Sequence, residues 1–159
     1  MADTRVVLIE DDPNQAQWIA EDIIWKVVPA AGILFYDSEY SFLQEVDDGT
    51  VKAWDPTHAV IDLLVRYFSP HDLAAMNRAG QPTPEFEKAP KPNHAGLRCR
   101  KRILEVCPHL AAQNNADQNG RVVIVTVTVI TPPSGDVFLL EKGTDQFPDE
   151  LGRFLLLNR

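Results

Sequence analysis

Residues 4–13 read TRVVLIEDDP. The stretch 4–10 is a short, nearly continuous apolar run with β-branched residues, the pattern of a strand buried on both faces of a sheet. It ends in three acids, Glu10, Asp11 and Asp12, and Pro13 follows. Proline suits the first position of a helix, and an aspartate before it suits the cap. Ala16, Ile19, Ala20, Ile23, Ile24 and Val27 then recur at helical spacing. A buried strand therefore runs straight into an amphipathic helix, with carboxylates at the junction.

The same alternation continues outward. Residues 33–36 predict a second strand and 38–46 a helix with Phe42, Leu43 and Val46 apolar; Asp47, Asp48 and Gly49 make a turn. Residues 58–64, HAVIDLL, read as a third buried strand with one acid, Asp62, near its end. A helix is expected over 96–107, a fourth strand over 121–129 (RVVIVTVTV), a fifth over 137–141 and a last helix over 145–157. Strands alternating with amphipathic helices predict an α/β fold with a doubly wound parallel sheet and right-handed crossovers. Ligands of such sheets bind beyond the carboxyl ends of the strands. Those ends carry Asp11 and Asp12, Asp62, Thr126 and Lys142. Two stretches break the rhythm. Residues 66–95 hold five prolines and read as an insertion or long loop with a short helix near 72–78. Residues 130–136, ITPPSGD, are too short and proline-rich for a full fourth helix.

A chain of 159 residues fits one domain, 1–159. Its net charge of −8 makes it a poor partner for nucleic acid, whose phosphates need clustered lysine and arginine. Cys99 and Cys107 stand two helical turns apart, about 12 Å, too far to bridge, and read as reduced thiols. No signal sequence or membrane-length apolar run is seen, which predicts cytoplasmic residence. Of the four histidines, His71 and His94 lie in or beside the insertion and read as solvated loop residues, rather than as a metal pair. The basic run Arg98, Arg100, Lys101 and Arg102 reads as the wet face of its helix.

The strand-end residues share a chemical logic. Three carboxylates at one place repel each other unless a cation sits among them, and hard oxygen ligands suit Mg²⁺. A metal there makes Asp62 usable as a nucleophile toward phosphorus, giving an acyl phosphate. A hydroxyl (Thr126, with Thr128 as its rival) and an ammonium (Lys142) then serve the remaining phosphoryl oxygens.

This ordered set, each member at the end of a predicted strand, resembles the receiver domain of two-component response regulators. The resemblance implies a five-stranded, flavodoxin-like sheet in the order 2-1-3-4-5, from which this chain departs by a shortened or missing fourth helix. It implies Asp62 as phospho-acceptor, Asp12 as direct Mg²⁺ ligand and Asp11 as the water-mediated one. The backbone carbonyl of Leu64 would complete the metal shell, Thr126 would be the switch hydroxyl and Lys142 the phosphate-pairing lysine. Gly96 resembles the glycine that opens the third helix. The chain departs from the family at Gly143, where a proline is usual, and at Leu139, where Tyr or Phe is usual. The implied function is a Mg²⁺-dependent phosphorelay receiver in bacterial signalling. A histidine kinase or histidine phosphotransfer protein would donate the phosphoryl group, and phosphorylation would switch a protein-binding surface, with a homodimer possible. The receiver would stand alone or belong to a longer regulator, with no separate catalytic domain. The alternative is a pseudo-receiver, a protein-interaction module that is never phosphorylated. An aspartyl-phosphate hydrolase usually carries a second acid where this chain has Leu64, and a flavin binder needs a phosphate loop where it has acids. An apolar Leu64 cannot orient an attacking water, which predicts slow loss of the phosphoryl group.

Overall fold

The computed structural model describes residues 3–81, 95–111, 120–127 and 137–157. Its centre is a five-stranded, all-parallel sheet in the order β2-β1-β3-β4-β5, formed by β1 (Arg5–Ile9), β2 (Gly32–Tyr36), β3 (His58–Asp62), β4 (Val122–Thr126) and β5 (Leu139–Glu141). The expected doubly wound order 2-1-3-4-5 is therefore present. β1, β3 and β4 are central, and apart from Arg5 at the start of β1 every residue in them is buried, which explains their near-continuous apolar runs.

Helices cover both faces. On one, α3 (Glu39–Asp47) and α6 (Ala95–Val106) pack on Val7, Ile9, Ala59, Ile61, Val122 and Ile124. On the other, Ile19, Ile23 and Ile24, together with Phe147, Leu151, Phe154 and Leu155, meet Val6, Leu8, Val60, Val123, Val125 and Leu140. Successive strand residues thus alternate between the two cores. The second face is built by α7 (Phe147–Leu157) and by one helical stretch after β1. That stretch is α1 (Pro13–Trp18), a π-helical segment (Ile19–Ile24) and the short α2 (Trp25–Val27). The π-helical segment is a departure from the regular α-helical spacing read in the sequence.

A one-turn helix, α4 (Thr50–Trp54), follows the turn at Gly49, whose φ of 87° suits glycine. Beyond β3, the expected short helix is present as α5 (Pro70–Arg78), started by a capping box between Ser69 and Asp72. This first part of the insertion is tied down. The Glu39 and Tyr40 N–H groups donate to the Arg66 and Tyr67 carbonyls, both at 2.9 Å. Ser38 Oγ donates to Asp72 Oδ2 at 2.5 Å, and the Tyr40, Tyr67 and Phe68 rings cluster. Residues 82–94, Thr128 and the expected fourth-helix region 130–136 lie outside the described residues.

Arg98, read as part of the wet face of its helix, keeps a 36% exposed side chain but also has a buried partner. Its guanidinium grips the buried Glu39 carboxylate through two bonds of 2.7 Å, joining α6 to the start of α3. Cys99 and Cys107 are both buried free thiols, and His58 is buried within β3. Among the described residues, no helix is long and apolar enough to cross a membrane.

Candidate functional site

Strand alternation decides which side chains meet. Leu8, Val60 and Leu140 point into the core beneath α1 and α7. Two residues further along each strand, on the same face, stand Glu10, Asp62 and Lys142. The parallel register brings these ends level, with Asp62 opposite Val125 and Thr126 opposite Glu141. The Lys142 N–H donates to the Thr126 carbonyl at 2.8 Å, which fixes the backbone that carries the lysine. Lys142 Nζ reaches Glu10 Oε2 at 2.5 Å and Asp62 Oδ1 at 3.3 Å, and all three residues are buried.

Glu10, Asp11 and Asp62 each offer a carboxylate oxygen, and these oxygens lie within 4.8 Å of one another. Asp11 is nearer the rim. Its Oδ2 accepts the backbone N–H of Arg66 at 2.9 Å, with Arg66 Nε 3.6 Å from the same oxygen. Arg66 Nη2 also donates to the Asp11 carbonyl at 2.9 Å.

Asp12, expected as the direct metal ligand, is not brought among these grouped oxygens. Pro13 occupies the first helical turn, so Asp12 becomes the N-cap of α1. Its Oδ1 accepts from the N–H groups of Asn14 and Gln15 at 2.9 and 3.4 Å, and the residue is exposed. The acids that join Asp62 are Glu10 and Asp11. Glu10 went unselected in the sequence reading, yet the signal was there: it follows Leu8 by two residues just as Asp62 follows Val60.

Burial has an electrostatic consequence. Desolvation, followed by the nearby Asp62 charge, raises the Glu10 carboxyl from an ordinary 4.5 to about 7, with Lys142 pulling the other way. Asp62 is raised as well, again chiefly by desolvation and against Lys142. Grouped carboxylates repel one another when ionised, and a small divalent cation among them would offset that repulsion. All three donors are hard oxygens, which fits Mg²⁺. Glu10, Asp11 and Asp62 would hold it, with the Leu64 carbonyl expected as a further donor.

The remaining expected residues frame this cluster. Thr126, buried at the end of β4, sits one step past the register partner of Asp62. Leu64 (40% exposed) and Val127 (65% exposed) are rim residues that follow Asp62 and Thr126 in the chain. Gly96 opens the first turn of α6 against the acid-bearing strand. A Cβ there would stand 2.3 Å from the Asp62 carbonyl oxygen and 2.7 Å from Leu63 Cα, and the Gly96 N–H donates to the Leu63 carbonyl at 2.9 Å. Only glycine permits that approach.

No family model matches the chain, and no curated protein matches it. Among solved structures, the chain is similar to one described as a yeast Spc42 trimeric coiled coil, amino acids 181–211, fused to another structure. The two are 13% identical with a TM-score of 0.56, and the match covers 99% of this chain and 79% of that one. At this identity the likeness concerns the fold alone.

Proposed function

We propose that this chain is a Mg²⁺-dependent phosphoryl acceptor of the response-regulator receiver type, with Asp62 as the accepting residue. The observation that carries the reading is the meeting of Glu10, Asp11 and Asp62 with Lys142 at the carboxyl edge of the sheet. A bound Mg²⁺ would neutralise charge on the incoming phosphoryl oxygens. An Asp62 carboxylate oxygen attacks phosphorus, the bond from phosphorus to the donor's imidazole nitrogen or acyl oxygen breaks, and the leaving group takes that electron pair. Lys142, already on Asp62, is in reach of the new phosphoryl oxygens, and Thr126 supplies a hydroxyl at the next strand end. The donor would be a histidine kinase or a histidine phosphotransfer protein. The phosphorylated form would favour a different surface for a protein target.

The test is intact mass after incubation with Mg²⁺ and acetyl phosphate, for the parent and Asp62→Asn. A phosphoryl adduct that needs both Mg²⁺ and Asp62 is the expected result. An adduct that persists in Asp62→Asn removes Asp62 from its role.

A second reading, a pseudo-receiver that binds protein without being phosphorylated, draws on one observation. Lys142 pairs with Glu10 and Asp62 while Arg66 pairs with Asp11, so every acid already has a cationic partner. Absence of both adduct and Mg²⁺ binding would select this reading.

A further inference from the structure

The two cations at the acid cluster differ in one property. The Lys142 side chain is 4% exposed and serves two buried acids at once. Its departure would strand both, which is costly for buried charges. The Arg66 side chain is 41% exposed and its Nε stands 3.6 Å from a single carboxylate oxygen, that of Asp11. An exposed pair of that kind is weak, and its guanidinium keeps water when it leaves. The backbone around Arg66 does not depend on the side chain. Its N–H holds Asp11 Oδ2 at 2.9 Å and its carbonyl accepts from Glu39 N–H at 2.9 Å. The guanidinium also donates from Nη2 to the Asp11 carbonyl at 2.9 Å, a bond that water replaces when the part-exposed side chain turns outward. Turning outward leaves the backbone in place and uncovers Asp11, whose ion pair is with Arg66 while Lys142 pairs with Glu10 and Asp62.

We propose that Arg66 is a resident counter-cation for Asp11 that competes with the divalent cation, and so sets how tightly the site binds metal. This rests on the reading of Glu10, Asp11 and Asp62 as a cation site. Until metal arrives, Arg66 offsets the Asp11 charge. When metal binds, it takes the place of the guanidinium beside Asp11, and the guanidinium turns out to solvent. Arg66 is a positioning residue, because it acts on metal through Asp11. Its effect has a sign that a structural prop would not produce. Removing a prop loosens the site and weakens binding, whereas removing a competitor tightens it.

The experiment is calorimetric titration of the full chain with Mg²⁺ alone, for the parent, Arg66→Gln, Arg66→Lys, Asp11→Asn and the Asp11→Asn/Arg66→Gln double variant. A thermal melt establishes that each is folded. Arg66→Gln is expected to bind Mg²⁺ about three- to tenfold more tightly, the scale of a partly solvated charge acting on a divalent ion. Arg66→Lys, which keeps the charge, is expected within about twofold of the parent by the same reasoning. In the Asp11→Asn background the Arg66→Gln gain should vanish, as a pairwise coupling requires. If the parent binds Mg²⁺ and Arg66→Gln binds equally or less tightly, the inference fails while the cation site stands. A gain that survives whole in Asp11→Asn also overturns it. If no variant binds Mg²⁺, the cation site and the inference fall together.

Discussion

At the residue scale, two acids of one short run do different work. Asp12 is committed to the amide groups that open α1, and Glu10 is turned inward by strand alternation. Replacement of Asp12 by alanine should therefore cost about 1 kcal/mol of stability, the worth of an N-cap, and leave Mg²⁺ affinity nearly unchanged. Glu10→Gln should do the reverse and weaken Mg²⁺ binding, about tenfold for one lost charged ligand. Denaturant melts and Mg²⁺ titrations of the two variants check this, and equal losses of affinity would return Asp12 to the site. Leu64 gives a further prediction that depends on phosphorylation. With no polar group at that rim position to hold a water, the Asp62 phosphoryl group should be long-lived, and Leu64→Asn should shorten its lifetime in a mass-spectrometric time course. An unchanged lifetime would remove Leu64 from control of hydrolysis.

At the element scale, α6 is seated by two residues of its first turn. Gly96 lets the helix touch the backbone of Asp62, and Arg98 carries the helix to the buried Glu39 of α3. Gly96→Ala would drive a methyl group into the Asp62 carbonyl. The expected cost is about 1–3 kcal/mol, together with a loss of Mg²⁺ affinity, because the acid itself must shift. Arg98→Ala leaves the Glu39 carboxylate buried without its guanidinium. The expected cost is about 2 kcal/mol, less than for a fully buried pair because Arg98 keeps some water. Its Mg²⁺ affinity should stay near that of the parent. Chemical unfolding paired with Mg²⁺ titration separates the two variants. Arg98 was read from sequence as solvated because helix periodicity assigns a face but cannot name what lies across from it. Its partner stands on a different helix, brought close only when both pack on the sheet.

At the scale of the whole molecule, the acid cluster stores an unfavourable term that should be visible in pH dependence. The fold raises Glu10 from 4.5 to about 7, so the folded state favours its protonated form. The resulting stabilisation is present in full below about 4.5 and is lost as pH rises through about 7. Without divalent cation, the melting temperature should therefore climb as pH falls from 8 toward 5, and Glu10→Gln should flatten the slope. Saturating Mg²⁺ should raise the melting temperature most at the alkaline end, where the carboxylate is ionised and the metal meets no proton competition. A slope unchanged by both Glu10→Gln and Mg²⁺ would mean that the cluster contributes nothing to stability.

The sequence by itself determined the alternation of buried strands and amphipathic helices, because apolar period and run length are local properties that each segment carries alone. It also placed Asp62, Thr126 and Lys142 at strand ends, and it marked Pro13 and Asp12 as the start of a helix. Tertiary structure decided what no local pattern encodes. The register of β1, β3 and β5 brought Glu10, Asp62 and Lys142 together, and their separation in the chain left that meeting to the sheet. The seating of residues 66–78 on the start of α3 put the Arg66 guanidinium on Asp11, a contact that the expected short helix near 72–78 did not reveal. The division is physical: helix and strand periods follow from nearest-neighbour backbone geometry, whereas a pairing between distant charges exists only after the core has fixed both backbones.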